Sequence, residues 1–319
     1  MDTILKNESE KSLTLKECIF TIFTPTFNRK ATIERTYNSI KQLILPQING
    51  NMGEIEWIVV DDGSMDNTEG LFAKLCQENA IALRYYYQHN QGKHVAMNFA
   101  VQQARGKFWL TIDSDDTILP DALLKYSKVW YSIDKTERDT FCGVSARCVD
   151  SDGNIVGDKL PFQPMDVSFT ELRMKYRIEG EMLEMFRVDI LRQYPFPKYD
   201  PRMRFCPEAI AWFEMAKKYK LRVVDMAVRT YFYDASTSLI KERSENRSAA
   251  NYYLWLYFVN NLSNYFLSNT KKIIKAYVGV SMDGFISRRN IFFILNDIKG
   301  WRKIPTILLM PFGWLLAKR

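Results

Sequence analysis

The 319-residue chain has only five cysteines and two histidines, and neither type clusters. Cys18, Cys76, Cys142, Cys148 and Cys206 are odd in number and show no CxxC pair or knuckle spacing. That pattern argues against a disulfide framework and a zinc site and fits reduced thiols. No GxGxxG occurs, so a dinucleotide oxidoreductase lacks its phosphate-binding turn. Met1 to Glu17 contains no apolar h-region and does not read as a secretory signal peptide. The most apolar run, Ile304 to Ala317, has 14 residues broken by Pro305, Pro311 and Gly313, whereas a spanning helix needs roughly 20. The core is therefore expected in the cytoplasm. No internal repeat is present, and 47% hydrophobic with 25% charged residues is the composition of a globular protein.

Acidic residues are scarce at the C-terminal end. From Ile240 to Arg319, 13 Lys/Arg face 4 Asp/Glu, an excess of +9 in a chain whose total is +7, which leaves −2 on residues 1–239. The same stretch holds 14 Phe, Trp and Tyr. Basic plus aromatic is the chemistry of an anionic membrane surface, here the inner face of the plasma membrane, on which such a tail would lie without crossing. A helical lid packed on the core with its charges in water explains the composition equally well. Nucleic acid is not expected as a partner, since long aliphatic segments have no role there.

The first half alternates in pattern. "CIFTIFTP" (18–25), "IEWIVVDDGS" (55–64), "ALRYYYQ" (82–88) and "KFWLTI" (107–112) read as strands, separated by helical spacing over 30–45, 66–77 and 93–104. Strand and helix in turn predict an α/β fold with a mainly parallel sheet flanked by helices. Further on come a helix near 120–132, a hairpin turned at Asp152-Gly153, a helix opening at "FCPEAIAWFEMAKKY" with Pro207 at its start, and a strand "LRVVDMAVRTYFY" closing the core near Asp234. Three divisions follow: a polar segment 1–17, a catalytic unit 18–234, and a helical extension 235–319.

The clusters "TFNR", "DDGS" and "DSDD" each follow a strand, so in an open α/β sheet all three should meet at the strands' carboxyl edge. Three carboxylates as close as Asp113, Asp115 and Asp116 repel one another unless water screens them or a cation is bound. On extended backbone a D-x-D pair points Asp113 and Asp115 the same way. Two such carboxylates with substrate phosphate suit Mn2+ or Mg2+.

"FTPTFNR", "WIVVDDGSMDNT" and "NQGKHVAMNFAVQQARGKFWLTIDSDD", in this order and spacing, resemble the family 2 glycosyltransferases of the GT-A fold. The resemblance runs through about residues 18–234 and includes "YPFP" and "FCPEAIAWFEMAKKY", which look like the acceptor side of bacterial capsular and exopolysaccharide transferases. It implies an inverting, metal-dependent transfer from a UDP-sugar to a hydroxyl of a glycan or lipid-linked acceptor. By that resemblance Pro25, Thr26, Asn28, Arg29, Asp61, Asp62, Asn90, Gly92, Lys93, Asn98, Asp113 and Ser114 line the donor pocket, with Asp62 accepting from uracil. Asp115 and Asp113 hold the metal, Asp116 is structural, and Glu208 is the base that takes the acceptor's proton. Glu181, Arg187 and Trp212 are the acceptor-side candidates, although "GE" stands where relatives have "GD".

Plain readings compete with several of these roles. Glu208 could merely occupy a helix's first turn, favoured by the dipole, and Arg29 could be solvated. Glu181, Glu184 and Arg187 could form ordinary surface ion pairs. Trp212 suits a core, His94 suits packing or capping, and Ser236 and Ser238 lie in a loop that approaches the donor in relatives. At the level of function, a non-catalytic nucleotide-sugar-binding scaffold has no need of a repulsive carboxylate cluster kept with a base. A sugar-1-phosphate nucleotidyltransferase would show a Gly-rich basic loop, and "TPTFNR" has no glycine.

Overall fold

A computed structural model describes residues 3–15, 18–48, 51–199, 203–232 and 245–318. In chain order, β1 (Ile4–Glu8) and α1 (Glu10–Thr14) precede β2 (Cys18–Thr26) and α2 (Lys30–Lys41). A small hairpin, β3 (Gln47–Ile48) with β4 (Asn51–Met52), leads into β5 (Glu54–Asp61), α3 (Thr68–Glu78), β6 (Ala82–Tyr87), α4 (Lys93–Gln103) and β7 (Phe108–Thr111). Then come β8 (Thr117–Ile118), α5 (Ala122–Tyr131), β9 (Phe141–Val149), β10 (Met165–Val167), β11 (Met182–Arg187), α6 (Val188–Leu191), α7 (Ala209–Met215) and β12 (Lys220–Thr230). Helices α8 (Glu245–Tyr257), α9 (Thr270–Ile286), α10 (Ile291–Asp297) and α11 (Lys303–Ala317) form the tail. Ser236, Ser238 and the expected boundary at Asp234 lie outside the described residues.

One sheet carries the order β1-β6-β5-β2-β7-β11-β9-β12-β10, with β8 also on β12. Strands β6, β5, β2 and β7 are parallel neighbours. Because β11 is antiparallel to both β7 and β9, and β12 is parallel to β9, six strands share one direction. The sheet is thus mixed and mainly parallel, as the strand–helix alternation predicts. Period-two alternation builds its two faces: β5 sends Trp57 and Val59 to one side and Ile58 and Val60 to the other. Helices α2, α3 and α5 cover the first side through residues such as Tyr37, Phe72 and Tyr126. Helices α4 and α7 cover the second through Met97, Ile210 and Phe213.

Three features differ from the sequence pattern. The polar segment before Cys18 supplies an edge strand, β1, antiparallel to β6. Its backbone satisfies the outer edge of β6, which needs no apolar side chain, so polarity hid it. Strands β10 and β11 are also unforeseen, and β11 inserts between β7 and β9. The third is a buried ion pair between β5 and β6: Glu56, fully buried, pairs with Arg84 and accepts from Thr21 Oγ1 at 2.6 Å.

The tail packs its inner side on the core. Tyr257 stacks on Phe213 at 5.8 Å and Phe258 meets the same ring edge-on at 5.3 Å. Helix α9 packs against both α8 and α11, and Val280, Ile294 and Met310 join the apolar cluster on that face. The lid expectation therefore holds for one side of the tail.

Candidate active site

Chain direction decides which side chains meet. Strands β2, β5 and β7 end at Thr26, Asp61 and Thr111, so the segments after them share the carboxyl edge. There Asn28, at φ 52, donates its N–H to Ser64 Oγ at 2.8 Å and accepts from the Met65 N–H at 2.8 Å. The post-β2 and post-β5 loops are thereby tied together. Thr26 is buried and its hydroxyl has no hydrogen-bond partner.

The two acids after β5 face inward. Asp61 accepts from the Ser64 N–H at 2.7 Å and from Tyr85 OH at 2.6 Å. Asp62 accepts from Gln88 Nε2 at 2.7 Å and from the N–H groups of Gln91 and Gly92 at 2.7 and 2.8 Å. Burial pushes both acids above the usual carboxylate range, and these donors oppose it. A carboxylate has about four acceptor positions, so Asp62 retains one beyond the three already filled. Its main visible work is to shape the turn 88–92 that starts α4. Gly92 fits that turn because it has φ +98 and lies against the backbone: a Cβ there would be 2.1 Å from the Arg204 carbonyl oxygen.

Helix α4 then delivers Lys93 to the centre of the site. Its Nζ lies 2.7 Å from Asp113 Oδ1 and 2.8 Å from Glu208 Oε1. Burial disfavours the ammonium, but Asp113 and Glu208 outweigh burial and raise its pKa. Burial likewise opposes ionised Asp113, yet Lys93, Arg229 and Arg29 hold its pKa below the usual value. Asp115 is the poorly compensated member: burial and Asp113 raise its pKa, and Arg29 stands 3.6 Å away. Asp116 is buried and structural, pushed up to about 7 by burial despite Arg229 at 3.5 Å. Ser114 is buried in the turn between them. Among the described residues no three or more His, Cys, Asp or Glu side chains converge as a metal cage. Asp113 and Asp115 instead match the sparse, hard-oxygen donor set that takes Mn2+ or Mg2+ together with phosphate oxygens.

Glu208 sits at the N-cap of α7, half-buried, and Lys93 links it to the DSDD cluster. Beside it is Glu184, on β11 opposite Ser145 of β9, whose Oγ donates to it at 3.2 Å. Burial lifts Glu184 to about 7, with Arg173 opposing and Glu208 adding to the rise. It is therefore no surface ion pair. Glu181 accepts from Arg229 Nη2 at 3.2 Å and stays on the crevice side.

Several expected contacts are corrected. Arg187 lies at the wrong end of the sheet, because β11 runs antiparallel to β7 and pairs Arg187 with Phe108, where β7 begins. It forms a double hydrogen bond to Asp189 at 3.1 and 2.6 Å instead. Trp212 is 7% exposed and packs on Phe186 and Phe196 at 4.6 and 5.7 Å, so it is core. Asn98 does not face the donor side: its amide donates to the Phe196 carbonyl at 2.9 Å and accepts from the Phe196 N–H at 2.8 Å. His94 is buried, and burial lowers its pKa to about 4, which leaves it neutral. Two arginines escaped the sequence reading. Arg229 bridges Asp116, Glu181 and the Cys148 sulfur. Arg35 donates to the Asp115 carbonyl and lies 3.9 Å from the Phe232 ring centroid. A charge inside the apolar run "VVDMAVRTYFY" was the available signal for the first.

Known proteins place this geometry in a lineage. The GalNAc(5)-diNAcBac-PP-undecaprenol beta-1,3-glucosyltransferase of Campylobacter jejuni is 25% identical over 231 residues, 70% of this chain and 68% of that protein. Escherichia coli chondroitin synthase is 29% identical over 160 residues, 48% of this chain but only 21% of that much longer protein. Staphylococcus aureus TarS 1–349 in complex with UDP-GlcNAc superposes with a TM-score of 0.57 at 16% identity, covering 94% of this chain and 81% of that one. The mannosyltransferase PcManGT of Pyrobaculum calidifontis, in complex with GDP-Man and Mn2+, gives 0.50 at 16% identity over 97% and 86%. Both likenesses are of fold, and the fold is GT-A. The model of Glycosyl transferase family 2 matches residues 21–194, more than half the chain, and the three strand-end clusters that meet at the crevice all lie within that span. This chain therefore belongs to glycosyl transferase family 2 and is a glycosyltransferase.

Proposed function

We propose that the chain transfers a sugar, with inversion, from a UDP-sugar to a hydroxyl of a glycan or lipid-linked acceptor in bacterial surface polysaccharide synthesis, working at the inner face of the plasma membrane. The observation that carries this reading is the Lys93 ammonium, shared at 2.7 and 2.8 Å between Asp113 and Glu208. It links the strand-end acids of the donor side to the one carboxylate at the start of α7. The undecaprenol-linked substrate in the name of the Campylobacter relative and the UDP-GlcNAc held by TarS favour this donor and acceptor class.

Thr26, Asn28 and the remaining acceptor position of Asp62 would receive the nucleoside, whose uracil N3–H needs an acceptor. Asp115 and Asp113 would hold a divalent Mn2+ or Mg2+, which supplies positive charge to a departing diphosphate. Glu208 takes the proton of the acceptor hydroxyl as its oxygen bonds to the anomeric carbon. The bond from that carbon to the diphosphate oxygen breaks with its electron pair leaving on UDP. Attack from the face opposite the leaving group inverts the centre. Lys93, 2.8 Å from Glu208 Oε1, orients that carboxylate toward the acceptor.

With a panel of UDP-sugars and manganese, Glu208→Gln should abolish transfer while UDP binding persists. Wild-type turnover in a folded Glu208→Gln protein removes Glu208 from the base role. Asp115→Ala should lose both transfer and metal-dependent UDP binding.

A further inference from the structure

Helix α11 inverts the usual layout of a surface helix. Its packed side consists of Thr306, Met310 and Gly313, spaced four and three residues apart. These lie toward α9 so closely that a Cβ on Gly313 would be 2.6 Å from the Ser281 Cβ. A helix held to a core by one stripe normally turns polar and charged residues outward. Here the outward residues are Ile304, Ile307, Leu308, Phe312, Trp314 and Leu315, each between 45% and 69% exposed. No charge interrupts the sequence from Ile304 to Ala317. The preceding helix and turn add Phe292 at 85% and Trp301 at 59%.

An exposed apolar face of this extent is a binding surface, and the charges around it select the occupant. From Arg288 to Lys318 six Lys/Arg stand against one acid, Asp297, which accepts from Tyr252 OH at 2.7 Å. A second copy meeting this face would bring like charges together. A bilayer with anionic headgroups satisfies both features, taking apolar side chains at the acyl boundary and cations at the headgroups. Cations sit beside the exposed indoles, as they do at headgroup depth: Lys318 Nζ is 3.7 Å from the Trp314 ring centroid, and the Arg302 guanidinium 5.4 Å from that of Trp301. No helix among the described residues is long and apolar enough to cross a membrane. We infer that α11 lies in the plane of an anionic membrane surface, with Ile307, Leu308 and Phe312 seated in the acyl boundary. This placement suits a lipid-linked acceptor and does not depend on one.

The full chain is tested by flotation with vesicles of phosphatidylcholine alone or with about 30% phosphatidylglycerol. The wild type should float with the anionic vesicles, and its tryptophan emission should shift to the blue. Trp301 and Trp314 are exposed, whereas Trp57, Trp109, Trp130 and Trp212 are already buried. Leu308→Glu with Phe312→Glu should weaken vesicle binding by about tenfold or more and leave the thermal midpoint and UDP binding unchanged. If that variant does not fold, quenching of wild-type emission by brominated lipid decides the matter alone. A wild type that neither floats nor shifts overturns the inference. So does a dimer in light scattering that the double substitution dissolves, which would make the face a contact between copies. A chain that floats but transfers no sugar supports the membrane surface and counts against the proposed transfer alone.

Discussion

Glu184→Gln should remove a defined part of the alkaline loss of stability. Burial is the chief reason that Glu184 is pushed from 4.5 up to about 7, with Glu208 adding and Arg173 and Ser145 opposing. Above pH 4.5 the unfolded chain has released this proton while the folded chain retains it. The contribution to stability is therefore complete below about 4.5, falls as pH rises, and is lost above about 7. A displacement of that size corresponds to about 3 kcal/mol, and the residue's partial exposure lowers the expected value to about 2. Glutamine can still accept from Ser145 and has no charge to bury. Urea unfolding, followed by circular dichroism from about pH 5 to about pH 9, should show the variant losing about 2 kcal/mol less than the wild type. Asp116, also near 7 through burial, slopes equally in both proteins, so the difference isolates Glu184. Parallel curves across that range would refute the reasoning.

Glu56→Ala leaves Arg84 buried without its partner and should cost about 3–5 kcal/mol in urea unfolding; an unchanged midpoint contradicts the role given to that pair. Gly92→Ala places a Cβ against the Arg204 carbonyl at a positive φ and should cost about 2 kcal/mol with weaker UDP binding by calorimetry. Lys93→Met should slow transfer by about a hundredfold, whereas Arg187→Ala, at the opposite end of the sheet, should leave it within about twofold. Equal losses in those two variants would mean that the direction of β11 has been misjudged.

The strand–helix alternation and the polar clusters at strand ends were readable locally, because period-two burial and post-strand acids are short-range signals. Strand β1 was not, since an edge strand is recruited by the backbone of β6 and needs no apolar pattern. The position of Arg187 depends on the antiparallel insertion of β11, a long-range pairing invisible in "MLEMFR". Asp62 and Asn98 lie in segments of the family pattern, yet neighbours 26 to 98 residues away occupy their polar atoms. Spacing along a chain shows which groups approach the crevice. It does not show which of them remain free once the loops have closed.

The reciprocal amide pairing of Asn98 with Phe196 has a mechanical consequence. It fastens the helix that carries Lys93 to the segment that leads toward Glu208, on two hydrogen bonds from one side chain. A sliding motion of α4 by one helical step, about 1.5 Å, would break both bonds unless Phe196 moved with it. The depth at which Lys93 enters the crevice is thus set from outside the crevice, by a backbone position 98 residues further along the chain than the side chain that holds it.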